Sequence, residues 1–232
     1  MTFKKKVIIA LDTDNLLDTE KLVDLVKDDI FAVKIGYQFF FKFGLAGYER
    51  IKNKNVNIFL DLKLHDIPNT VKHGIKSISE LNPYFTTIHI SGGDKMIKEA
   101  IDNKRNTKIL GVSILTSLNQ DQINVFYPKN KLEDIIDNYI NYALVNNLDG
   151  IVCSPHEIKK VKKIAKDKLI IVTPGIRPLS YSRNDDQKRI MSPSKAISLG
   201  SNYIVIGRPI TQSSNPLNEI KNINLEIEQS EN

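Results

Sequence analysis

Residues 56–81 read VNIFLDLKLHDIPNTVKHGIKSISEL and hold one complete strand-to-helix unit. VNIFL at 56–60 is a short apolar run of the kind that forms a strand buried on both faces, and from Thr70 to Leu81 the apolar residues fall at helical spacing. Similar apolar runs at 7–11, 31–35, 85–90, 108–114, 150–153, 169–172 and 203–206 make eight predicted strands. Amphipathic stretches such as Asp18–Lys27, Leu132–Asn146 and Ser194–Leu199 lie between them. Helical crossovers are right-handed and make the sheet parallel. Eightfold alternation in 232 residues predicts an α/β protein of one domain, a closed (β/α)8 TIM barrel, with an open doubly wound sheet as the main alternative. No linker or composition break marks a second domain, and the polar residues 224–232, NLEIEQSEN, are expected to fray.

Composition narrows the function classes. With 41% hydrophobic and 26% charged residues the chain can bury a sizeable core, which excludes disordered and collagen-like classes. The start, MTFKKKVIIALD, is basic and then apolar, but the run breaks at Asp12 and reads as a first strand rather than a signal peptide. No stretch approaches a membrane span, and the single Cys153 cannot form an internal disulfide, so a cytoplasmic protein is expected. The net charge of +6 comes from Lys dispersed along the whole chain, without the dense basic stripe and interleaved aromatics of a nucleic-acid surface. Only six of the 33 basic residues are Arg, and two of these, Arg177 and Arg208, stand in Gly/Pro-rich turns directly after apolar runs. Forked anion binding is a task in which Lys substitutes poorly.

Polar residues cluster where the predicted strands end. Asp12, Lys34 and Asp61 end or immediately follow the first three strands; Ser91-Gly92-Gly93, Thr116, Pro174-Gly175-Ile176-Arg177 and Gly207-Arg208 follow later ones. All project to the carboxyl-terminal rim, where barrels of this class carry their active sites. Period-two alternation points Asp61 and Lys63 to one side of a strand end, with Asp66 beyond in the loop and Lys34 on the neighbouring strand. Alternating charges in a barrel mouth favour one another's ionised forms. An ammonium among fixed carboxylates suits a reaction that develops a carbanion, which it stabilises and then protonates. The glycines of PGIRP and IGRP let backbone N–H groups approach an anion, so a phosphorylated substrate is expected at Arg177, Gly207 and Arg208. Between these turns LSYSRNDD, 179–186, is polar and aperiodic, as a lid would be.

DLKLHDIPNT at 61–70 resembles the signature of orotidine 5′-monophosphate decarboxylases, and TPGIRP at 173–178, DDQKR at 185–189 and YIVIGRPI at 203–210 are similar to that family's other segments. The resemblance implies cofactor-free decarboxylation to UMP, with Lys63 as proton donor to C6 and Asp61 against the substrate carboxylate. It implies further that Asp12 and Lys34 hold the ribose hydroxyls, Thr116 meets the pyrimidine, and Gln187 joins the lid to phosphate and pyrimidine. Asp66, with Ile67 and Thr70, would reach into the partner's site of a homodimer.

Three other readings compete. His89 with Asp12 and Asp61 could form a metal site, but Lys34 and Lys63 would set positive charge beside the cation, so no metal is expected. A metal-dependent sugar-phosphate decarboxylase would keep the D-x-K-x-x-D spacing, though IPNT and DDQKR favour the orotidine substrate. A catalytically inactive nucleotide-binding barrel is the third. His65 reads as loop scaffolding, His73 and His156 as helix surface, and Cys153 as a small buried hydrophobe.

Overall fold

A computed structural model of the chain describes residues 5–178, 181 and 190–231. The strands are β1 (Val7–Ala10), β2 (Ala32–Ile35), β3 (Asn57–Leu64), β4 (Phe85–His89), β5 (Lys108–Val112), β6 (Gly150–Val152), β7 (Ile170–Thr173) and β8 (Tyr203–Ile206). Each pairs in parallel with its sequence neighbours, and β1 also pairs with β8. That last pairing closes the barrel and removes the open-sheet alternative. The helices are α1 (Leu16–Val26), α2 (Tyr37–Lys52), α3 (Pro68–Leu81), α4 (Gly93–Asn103), α5 (Gln120–Phe126), α6 (Leu132–Val145), α7 (Ile158–Ala165), α8 (Pro193–Ser198), α9 (Arg208–Thr211) and α10 (Pro216–Glu231). Among the described residues no helix is long and apolar enough to cross a membrane.

Alternation along each strand divides the core into two layers. Ile8, Ala10, Ala32, Phe59, Phe85, Leu110, Val172, Tyr203 and Val205 pack together inside the barrel. Their neighbours Val7, Ile9, Val33, Ile58 and Ile204 pack outward in the layer shared with the helices. Because the period is two, the inward series continues past the apolar floor as Ala10 to Asp12, Ala32 to Lys34, Phe59 to Asp61 and Val205 to Gly207. The barrel mouth is therefore polar by the same geometry that makes its interior apolar.

Strand β3 runs farther than the 56–60 expected. Its partners on β4 pass from Leu60 opposite Thr86 directly to Leu64 opposite Ile88, so Asp61, Leu62 and Lys63 face the single residue Thr87 across a bulge. Helix α3 also begins earlier, at Pro68, whose fixed φ suits a first helical turn and whose missing N–H would have had no partner there.

The expected frayed tail is corrected by the structure. Helix α10 continues to Glu231, with Ile220, Ile223 and Ile227 fully or almost fully buried at helical spacing. The Glu226 carboxylate accepts from the Ser194 N–H at 3.2 Å and from its hydroxyl at 2.6 Å, which ties this helix to α8. The polar look of 224–232 concealed one anchoring isoleucine in the right phase. Ile227→Ala should therefore lower stability by about 2–5 kcal/mol, read from the urea midpoint. A truly frayed tail would leave that midpoint unchanged.

Candidate active site

A cleft of about 790 Å³ opens at the carboxyl-terminal mouth of the barrel, lined by Asp12, Lys34, Asp61, Lys63, Thr116, Arg177, Gly207 and Arg208 together with the floor residues Phe59 and Val205. Its size and its few convergent polar groups suit a small phosphorylated ligand. Eight residues expected at the site thus share one cavity. Asp66, Ile67 and Thr70 do not; they are exposed at the β3–α3 connection. Gln187, and the proposed lid apart from Tyr181, lie outside the described residues.

Asp61 is the centre of the charged group. It is 7% exposed, and its carboxylate lies 2.8 Å from the Lys63 ammonium and 3.6 Å from that of Lys34. Lys34 is in turn 3.6 Å from Asp12. Burial pushes the Asp61 carboxyl towards its neutral form, but the charges of Lys34 and Lys63 and hydrogen bonds from Lys63 and Thr87 prevail and hold its pKa below the ordinary value. Of the alternating charges Lys34, Asp61, Lys63 and Asp66, the single chain brings the first three together. Asp12 completes the group, while the Asp66 carboxylate accepts the Ile67 N–H at 2.6 Å and is exposed.

Alternation alone does not bring Asp61 and Lys63 together. Lys63 has φ 45°, left-handed backbone that costs a side-chain-bearing residue roughly 1–3 kcal/mol. The bulge re-aims the lysine, a frequent use of bulges beside active sites. Tyr37, at the start of α2, backs the turn: its hydroxyl donates to the Leu62 carbonyl at 3.2 Å, and the Lys63 ammonium lies 5.7 Å from its ring centroid. Beside the pair, burial and then the positive charges of His65 and Lys63 push His89 below the usual histidine range, against the pull of Asp61. His65 is exposed, with Nε2 3.4 Å from the Ser91 hydroxyl. Among the described residues no three His, Cys, Asp or Glu side chains converge as a metal-ligating group.

The turns expected to bind phosphate lie after β7 and β8. Gly175 has φ 78°, a conformation that favours glycine, and the Arg177 guanidinium donates to the Ile176 carbonyl at 2.8 Å. Gly207 caps α9, whose first residue is Arg208.

Several site residues escape a sequence reading. Tyr37, Thr87 and Gly36 carry no motif of their own; an inward count of two from Phe85 is the one signal that reaches Thr87. Gly36 matters for space. A Cβ there would stand 2.9 Å from the Lys34 ammonium and 3.5 Å from the Asp12 carboxylate. Gly36→Ala should displace the flexible end of Lys34 and lower kcat/KM by roughly tenfold or more, at about 1 kcal/mol of stability from the altered helix cap. Wild-type kcat/KM in that variant would mean that the place of Lys34 is not critical.

Comparison with known proteins gives the same direction. The family model described as "Orotidine 5'-phosphate decarboxylase / HUMPS family" matches residues 5–223. The orotidine 5'-phosphate decarboxylase of Malacoplasma penetrans is 40% identical over 218 residues, 92% of this chain and 94% of the relative. That of Staphylococcus saprophyticus is 42% identical over 219 residues, with 92% and 94% covered. Among solved structures, orotidine 5'-phosphate decarboxylase from Lactobacillus acidophilus superposes with a TM-score of 0.84 at 34% identity, covering 97% of this chain and 99% of that one. With a lysine paired to a buried aspartate at the barrel mouth and a match across almost its whole length, the chain belongs to the orotidine 5'-phosphate decarboxylase / HUMPS family.

Proposed function

We propose that the protein decarboxylates orotidine 5′-monophosphate to UMP in pyrimidine biosynthesis, with Lys63 as the acid and without a metal or organic cofactor. The observation that carries the reading is the buried Asp61 carboxylate between two ammonium groups, Lys63 at 2.8 Å and Lys34 at 3.6 Å. Its named relatives and family support the same reaction.

The order of strands around the mouth matches the order of parts in a nucleotide. The phosphate turns after β7 and β8 adjoin Asp12 just beyond β1 and Lys34 on β2, which suit ribose hydroxyls, and β3 then offers Lys63 and Asp61 to the base. Thr116 reaches the same cleft from beyond β5, on the side assigned to the pyrimidine. As the bond from C6 to the carboxylate breaks, its electron pair stays on C6 and carbon dioxide leaves. The Lys63 ammonium stabilises that carbanion and gives it a proton, then recovers one from solvent. Asp61 holds the ammonium in place before the reaction. A metal-dependent sugar-phosphate reaction fits less well, since Lys34 and Lys63 occupy the space around the buried Asp61 carboxylate.

A homodimer with shared sites supplies Asp66. Phe41 (78% exposed), Ile67 (66%) and Leu45 (56%) are large apolar residues open to solvent, and Tyr37 stacks on Phe41 with ring centroids 5.5 Å apart. The Tyr37 bond to Leu62 joins this face of α2 to the loop that carries Asp66 and Ile67. Apolar surface beside an unpaired acid supports a two-fold contact through which Asp66, Ile67 and Thr70 enter the neighbouring cleft. Gln187, by family resemblance, closes over phosphate and base. A cytoplasmic enzyme acting on a small molecule, not on nucleic acid, is consistent with a free, buried Cys153 and dispersed lysines.

Lys63→Ala should lower kcat by roughly 10³-fold or more while UMP binding is largely kept. Asp66→Ala should be similarly inactive. Unfolding and remixing the two variants makes about half the dimers mixed, so roughly a quarter of all sites should be wild type and activity should rise towards that fraction. Confirmed subunit exchange without recovery would mean that Asp66 acts within its own chain, and normal turnover by Lys63→Ala would remove the proposed acid.

A further inference from the structure

One buried hydroxyl stands at the point where the two reacting side chains are held together. Thr87, on β4, is fully buried and is the single residue facing the three-residue bulge of Asp61, Leu62 and Lys63. Its hydroxyl accepts the Lys63 backbone N–H at 2.8 Å. The same hydroxyl donates its one proton to Asp61 Oδ1 at 2.9 Å, the oxygen that also receives the Lys63 ammonium at 2.8 Å. An unbulged ladder would satisfy the Lys63 N–H with a backbone carbonyl of β4. Here the side chain takes that place, in the stretch where Lys63 adopts its left-handed φ of 45°. The adjacent Thr86 makes a different bond, donating to the Leu60 carbonyl at 2.9 Å below the bulge.

We infer that Thr87 is a positioning residue for the decarboxylation, its hydroxyl clamping the Lys63 backbone and the Asp61 carboxylate in one fixed relation. The chain of contacts is short. The hydroxyl holds the bulge, the bulge aims the Lys63 ammonium, and the carboxylate that receives this ammonium is fixed by the same hydroxyl proton. Without it, the Lys63 N–H loses its buried partner, and Asp61 keeps its two ammonium partners but loses the hydroxyl that ties it to β4. A misplaced acid is costly for the chemical step because proton delivery depends on near-contact geometry. Binding through the phosphate turns, remote from Thr87, is unaffected. The inference rests on the assignment of Lys63 and Asp61 as the reacting pair.

The test compares Thr87→Val, which keeps the shape and removes the hydroxyl, with Thr87→Ser, which restores it. Thr87→Val should lower kcat by roughly 10–100-fold while the Kd for UMP changes by less than about twofold, and Thr87→Ser should recover most of the loss. Wild-type kcat in the valine protein overturns the proposal. So does a serine protein as impaired as the valine one, since packing of the methyl group would then be the cause. Should valine prevent folding, Thr87→Ala takes its place with the same readouts. Lys63→Ala measured alongside separates the two levels: an active Lys63→Ala protein removes the premise, whereas an inactive one beside a normal Thr87→Val protein overturns the role of Thr87 alone.

Discussion

The ion pair between Asp61 and Lys63 is the constraint around which the barrel mouth is built. A carboxylate buried this deeply is costly to keep ionised without compensation, and two ammonium groups and a hydroxyl supply it. Neighbouring features follow from holding those partners. Gly36 leaves room for the Lys34 ammonium, Asp12 takes the other side of Lys34, and Tyr37 and Thr87 support the turn that carries Lys63. Removing one lysine would leave a buried charge undercompensated, so the group acts as a unit.

The scaffold reaches this arrangement economically. Inward positions of the strands are apolar at the floor, where Phe31 and Tyr203 stack at 4.0 Å and Phe59 meets Phe85 edge-on at 5.8 Å. Two residues farther along, the same positions on the first three strands are the charged Asp12, Lys34 and Asp61. The packed floor fixes the strand ends, so the charges above it are held by a rigid ring, and preorganised charges stabilise a developing carbanion without first rearranging. In the proposed reading, the turns after β7 and β8 hold the substrate by a part that does not react, which lets remote binding position the base at β3.

Much of this was legible in the chain itself, for identifiable reasons. Asp12, Lys34 and Asp61 follow apolar runs in a fixed phase, and Gly175 and Gly207 precede arginines in turns, so strand periodicity and turn chemistry place them in one mouth. The geometry of Lys63 was not legible, because a bulge breaks the period on which the count relies. Gly36 and Thr87 act through space left open and through one hydroxyl, neither of which leaves a pattern along the sequence. Helix α10 was misread since one isoleucine in phase outweighs seven polar neighbours once it has a core to enter. Asp66 reads as part of the signature but lies exposed within its own chain, its carboxylate accepting the Ile67 N–H.

The central claim is that the lysines around the buried Asp61 carboxylate carry the chemistry without a metal ion. Loss of orotidine 5′-monophosphate absorbance after adding purified protein in excess EDTA tests it most directly. The account predicts catalytic turnover to UMP at the rate seen without chelator. Activity abolished by EDTA and restored by a divalent ion, or stoichiometric binding with no turnover, would contradict it.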